Sequence, residues 1–184
     1  MKLNSDYFIE RLKTNFDNVN TIFLYGNNLG LVEILYKQTL DILKINLNDP
    51  FNVSRIDGEE LKNSPWALLD NVDTLNIFSE KRFILLDLMH ISISKNIENT
   101  ILNAIGTESN NYLLLIKSGN LKQGAFTKHL ENNKNSIIVP CYEEKLKTIY
   151  NEISNILSKH KLYFKDDFIN NLIEKFNSDS LNNK

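Results

Sequence analysis

A single cysteine, Cys141, in 184 residues excludes an internal disulfide and any cysteine-rich zinc module, and it suits a reducing compartment. The cytosol is the expected location. No apolar run approaches the roughly 20 residues of a membrane span, and the opening Met1-Lys2-Leu3-Asn4-Ser5-Asp6 lacks the charged-then-apolar order of a signal peptide. No membrane association is expected. Surplus positive charge is also missing: the formal net charge is -2 and the pI is near 5.9, so the surface as a whole offers no basic field for phosphates. Autonomous DNA binding is not expected. Glycine and proline are few, at six and three, while Asn and Ile abound, a bias that carries no functional weight. What is present is a hydrophobic content of 42%, ample for one packed domain with a small appendage.

Apolar periodicity divides the chain into alternating elements. Ser5 or Asp6 caps a helix carrying Phe8, Ile9, Leu12 and Phe16 at helical spacing, and Thr21 to Tyr25 reads as a buried strand ended by Gly26. Leu29 to Leu43 is an amphipathic helix with Leu31, Ile34, Leu35, Leu40, Ile42 and Leu43 as its apolar set. After the polar turn Asn46 to Pro50, Phe51 to Ile56 alternates as a strand, and Asp57-Gly58 turns the chain. Ser64-Pro65 opens a helix with the stripe Trp66, Leu69, Val72 and Leu75. Arg82 to Leu88 and Tyr112 to Ile116 are too continuously apolar for half-exposed strands, so both are expected centrally in a sheet covered on two faces. Between them Ser94 caps a helix with Ile97, Ile101, Leu102 and Ile105 inward, and Lys117 to Asn120 forms a turn. A weaker helix over Leu121 to Glu131, interrupted by Gly124, leads to a last strand, Ser136 to Val139, ended by Pro140. About five strands alternating with helices imply a parallel, doubly wound α/β sheet. Beyond Pro140 only helical stripes follow: Leu146, Ile149, Tyr150, Ile153, Ile156 and Leu157, then Phe168, Ile169, Leu172, Ile173 and Phe176. The polar tail from Asn177 reads as a cut linker.

Several positions invite a chemical reading that their neighbours withhold. Gly26-Asn27-Asn28-Leu29-Gly30-Leu31-Val32 stands where a phosphate-binding loop would, yet it lacks the Lys-Ser/Thr pair that reaches the terminal phosphates and ligates magnesium. Asp87 ends an apolar strand as a magnesium-binding acid would, but Leu88, Met89 and His90 follow it instead of a second carboxylate. It reads as a solvated strand end or helix-start acid. His90, His129 and His160 lack metal-ligand spacing, and Cys141 has no adjacent group to activate it, so no metal site and no nucleophile are expected. Lys117 to Lys122, with Lys128 and His129, forms a solvated loop or a modest basic edge.

Leu75-Asn76-Ile77-Phe78-Ser79-Glu80-Lys81-Arg82 is unusual because it closes a helix and enters a buried strand without a glycine or polar turn. Ile77 and Phe78 then either fold beneath the sheet or stand exposed as anchors for a partner. Leu75 also completes the stripe begun by Trp66.

Together with that stretch, Phe23-Leu24-Tyr25-Gly26-Asn27-Asn28, Asp49-Pro50-Phe51-Asn52-Val53, Asp57-Gly58-Glu59-Glu60-Leu61 and Val139-Pro140-Cys141-Tyr142-Glu143 resemble, in order and spacing, the delta subunit of the bacterial DNA polymerase III clamp loader. The resemblance spans most of the chain. It implies an AAA+ α/β domain over residues 1–140, the start of a helical lid over 141–184, and a missing collar that would join gamma/tau and delta-prime subunits. It also implies a non-catalytic subunit without a cofactor, whose degenerate loop Gly26, Asn27, Asn28, Leu29 and Gly30 does not bind ATP. Leu75, Ile77 and Phe78 would grip the sliding clamp, helping to open the ring, and DNA would be met through the complex. Two other readings remain: a divergent P-loop nucleotide-binding protein, and an α/β interaction module unrelated to replication.

Overall fold

Residues that alternate between two apolar faces must be covered on both, and β1 (Thr21–Gly26) shows how: Ile22 and Leu24 enter one buried cluster, Phe23 and Tyr25 the other. The computed structural model describes residues 1–14, 18–73, 81–106, 111–119, 121 and 124–142, together with 154, 157, 168 and 171. The chain divides into two compact units, Met1–Tyr142 and Glu143–Lys184, and the account that follows concerns the first.

Its five strands, β1, β2 (Val53–Asp57), β3 (Arg82–Leu88), β4 (Tyr112–Gly119) and β5 (Ser136–Pro140), pair in parallel in the order β2-β3-β4-β1-β5. Helices α1 (Ser5–Thr14) and α2 (Leu29–Ile42) pack on one face. On the other lie α3 (Gly58–Asn63), α4 (Trp66–Asp73), α5 (Lys95–Ile105) and α6 (Ala125–Asn132). The expected five-stranded parallel α/β sheet covered on both faces is therefore present, with β3 and β4 among its inner strands. The outer edge of β5 is also occupied, since Leu3 N donates to Ile138 O and Ile138 N to Met1 O, both at 2.9 Å.

Details depart from the sequence reading for local reasons. Asp57-Gly58 is no free turn: the Asp57 carboxylate accepts from Glu60 N at 2.8 Å and caps α3, an unforeseen helix. Phe51 is 69% exposed outside β2, in a turn where the Asp49 carboxylate accepts from the backbone N–H of Phe51 and Asn52. Trp66 is 61% exposed, and the buried phase of α4 is Leu68 and Val72. Ile34 is likewise 55% exposed, with Val32, Leu35, Thr39 and Leu40 facing the core. Gly124 precedes α6 instead of interrupting it, donating its N–H to Thr127 Oγ1 at 2.9 Å. Phe16 and the helical stripes from Leu146 to Phe176, apart from Leu157 and Phe168, lie outside the described residues.

Candidate functional site

In a doubly wound sheet, ligands meet the protein where neighbouring strands send their crossovers to opposite faces, outside the carboxyl ends. Here that place lies between β1 and β4, whose following helices α2 and α6 cover different faces. The two strands end in register at Gly26 and Gly119.

The loop after β1 is closed on itself. Gly26 has φ +148°, and a side chain there would run into the Cys141 carbonyl. That carbonyl accepts from Asn28 N at 3.0 Å, while Cys141 N donates to Tyr25 O at 2.6 Å. At the start of α2 the Asn28 side chain accepts from Leu31 N at 3.0 Å, so an N–H that a phosphate would use is already engaged. A Cβ on Gly119 would come within 2.9 Å of both Leu29 Cδ2 and Met89 O, so the loops meet closely at the base of the crevice. Beyond it opens a cleft of about 510 Å³ lined by Leu29, Met89, His90, Ile91, Ser92, Ile93, Gly119 and Leu121. Among the described residues, its lining carries no lysine or arginine to hold a phosphate.

Asp87, which reads in sequence as a solvated strand end or helix-start acid, keeps 42% of its side chain exposed but is also paired. Its register partner across the sheet is Lys117, whose Nζ lies 2.9 Å from Asp87 Oδ2 and also bonds Glu33 of α2. Lys117 is therefore neither a solvated loop residue nor part of a basic edge; β4 runs on through Gly119, and its side chain is 13% exposed. The Tyr36 ring stands 4.8 Å from the same ammonium. Burial works against the charge on Lys117, but hydrogen bonds to Glu33 and Asp87 and their field prevail, holding it above its ordinary pKa. The acid that could ligate magnesium thus already has a cation.

Cys141 is fully buried, and burial pushes its thiol up to about 11, outweighing the hydrogen bond from Tyr25. At pH 8 its thiolate fraction falls about two orders of magnitude below that of an unperturbed thiol. Modification by a thiol reagent at pH 8 should accordingly be at least ~100-fold slower in the folded chain than in denaturant. Equal rates, measured by stopped absorbance of released thionitrobenzoate, would contradict its burial. His90 and His129 are exposed, and His160 lies outside the described residues.

Leu75, Ile77 and Phe78 also lie outside the described residues, within 74–80. What is described is the frame: α4 ends at Asp73 and β3 begins at Arg82, with Leu68, Val72, Ile84 and Leu86 in one buried cluster. Arg82 N donates to Asn111 O at 2.8 Å and its guanidinium to Ser54 Oγ at 2.7 Å. Val72 and Arg82, on either side of 74–80, are therefore held to the core.

A sequence profile of the family described as DNA polymerase III, delta subunit, matches residues 23–142. The chain belongs to this family. Among solved structures, the DNA clamp loader delta protein of Bacillus subtilis aligns with a TM-score of 0.53 at 16% identity, covering 91% of this chain and 51% of that one. Two Thermotoga maritima proteins align less closely. A DNA polymerase III gamma subunit-related protein gives a TM-score of 0.49 at 9% identity, over 84% and 52% of the two chains. A RuvB protein gives 0.46 at 15% identity, over 90% and 52%. No curated protein matches. The chain spans about half the length of these solved proteins, and the Bacillus protein shares its fold with this delta family member.

Proposed function

We propose that this delta-family chain grips a ring-shaped sliding clamp through Leu75, Ile77 and Phe78, and that it takes no part in ATP hydrolysis. The family match over 23–142 carries the reading. The bonds at Gly26 to Gly30 and the Lys117–Asp87 pair support its second half, because the N–H groups of Asn28 and Leu31 and the carboxylate of Asp87 are engaged within the chain. The ring is shifted toward its open form only if the chain binds that form better than the closed one. ATP-driven steps then belong to partner subunits of the gamma/tau and delta-prime type, DNA is met through the assembly, and residues 141–184 begin the lid.

Titration of the chain against the purified sliding clamp of the same organism tests the reading. Saturable binding is expected, and a folded chain that does not bind overturns it. The nucleotide half is tested separately: millimolar Mg·ATP should move the thermal midpoint by less than about 1 °C, since stabilisation by a ligand follows its occupancy. A rise of several degrees would favour a divergent nucleotide-binding protein.

A further inference from the structure

At the carboxyl ends of the central strands, two carboxylates and one ammonium converge. Asp87 of β3 and Lys117 of β4 are register partners on adjacent parallel strands, so their side chains leave the sheet on the same face. Glu33 and Tyr36, one turn apart on α2, come down on that face. Lys117 is the most covered of the three charged groups, at 13% exposure against 38% for Glu33 and 42% for Asp87. The cation is thus enclosed by its anions. Without it, two partly exposed carboxylates would be left around the space its ammonium fills, an arrangement that disfavours double ionisation and favours a replacement cation.

A hard divalent ion is the usual solution for oxygen ligands of this kind. Nothing in the missing phosphate-loop lysine explains why the strand-end acid should be neutralised as well. We propose that the Lys117 ammonium is a tethered cation standing where a divalent ion would bridge Asp87 and Glu33, which keeps the ends of β3 and β4 and the start of α2 joined without metal or nucleotide. The inference stands apart from the clamp-binding reading. Arg55 of β2 also acts electrostatically on Tyr36, but its guanidinium is held by Leu47 O at 2.7 Å.

Lys117→Met keeps much of the stem and removes the charge. In the full chain, the parent's thermal midpoint should be the same in EDTA and in 10 mM calcium chloride. The variant should melt lower in EDTA and recover by roughly 3–6 °C in calcium, given a millimolar site. Terbium should report the same pocket, with emission sensitised by Tyr36 appearing in Lys117→Met, weakening in Lys117→Met with Tyr36→Phe, and vanishing in Lys117→Met with Asp87→Asn. A folded Lys117→Met that gains neither calcium stabilisation nor terbium emission overturns the proposal, including the case in which Arg55 swings in as a substitute. If Lys117→Met does not fold in EDTA, rescue by calcium supports the proposal. Rescue only by adding Glu33→Gln and Asp87→Asn overturns it, because neutrality would then suffice.

Discussion

Replacing Ile77 and Phe78 together with alanine should abolish capture of the sliding clamp while leaving the chain folded. Apolar anchors that fill a preformed pocket are each worth roughly 2 kcal/mol or more at interface hot spots. Losing both therefore lowers affinity by about three orders of magnitude, ~4 kcal/mol at 1.4 kcal/mol per decade. The fold should survive because the cluster framing the connection is built from Leu68, Val72, Ile84, Leu86 and Leu88, which the substitutions leave in place. Circular dichroism and a thermal melt check the fold, and a clamp titration checks the loss. Clamp affinity within threefold of the parent would sink the assignment of these anchors. Leu75→Ala separates the two roles that position invites: a lower melting point with unchanged affinity marks it as helix core, and the reverse marks it as an anchor.

The second large effect belongs to Gly26. Its φ of +148° is a backbone region that side chains rarely adopt, and a Cβ there would lie 1.9 Å from the Cys141 carbonyl oxygen and 2.4 Å from its carbon. Both are backbone atoms, so no rotamer change relieves the clash. Gly26→Ala must push the end of β1 away from the residue after β5, breaking the bonds from Asn28 N to Cys141 O and from Cys141 N to Tyr25 O. A loss on the order of 3–5 kcal/mol is expected, at the upper end for single substitutions. For a chain of this size that lowers the thermal midpoint by roughly 6–20 °C. Gly30→Ala is the control, since a Cβ there meets nothing nearer than Asn28 Oδ1 at 3.6 Å and the position is helical. It should be neutral or slightly stabilising. A Gly26→Ala chain that melts within a few degrees of the parent contradicts the close approach.

Much of the fold was legible because the central strands announce themselves. Phe83 to Leu86 and Leu113 to Ile116 are continuous apolar runs, and such runs belong in a sheet covered on both faces. Helix phase was harder: periodicity places Val72 and Leu35 inward, as they are, but sets Trp66 and Ile34 beside them, where the sheet-facing surface instead runs through Leu68 and Val32. Helix α3 is not legible in the sequence because Asp57-Gly58 signals a turn and a cap equally well, and only the Glu60 N–H decides between them. The dead phosphate loop was visible from two missing residue types. Its counterpart at Asp87 was not, because Lys117 meets Glu33 across 84 residues and nothing local marks the pair. The family motifs acquire physical meaning once folded: Asp49 organises the turn before β2, Asp57 caps α3, and Cys141 lends its backbone to the loop after β1.

That last contact also sets how the first unit bears a pull. The chain leaves it at Tyr142, immediately after the residue whose N–H and C=O are bonded to Tyr25 and Asn28. Behind that residue, β5 lies parallel to β1 from Thr21↔Ser136 to Tyr25↔Pro140. A force drawing residue 142 onward along the strand direction loads these bonds in shear, many at once, instead of peeling them singly. The exit from the sheet is thereby a stiff mechanical anchor, and traction on the following segment reaches the β1 loop before it loosens β5.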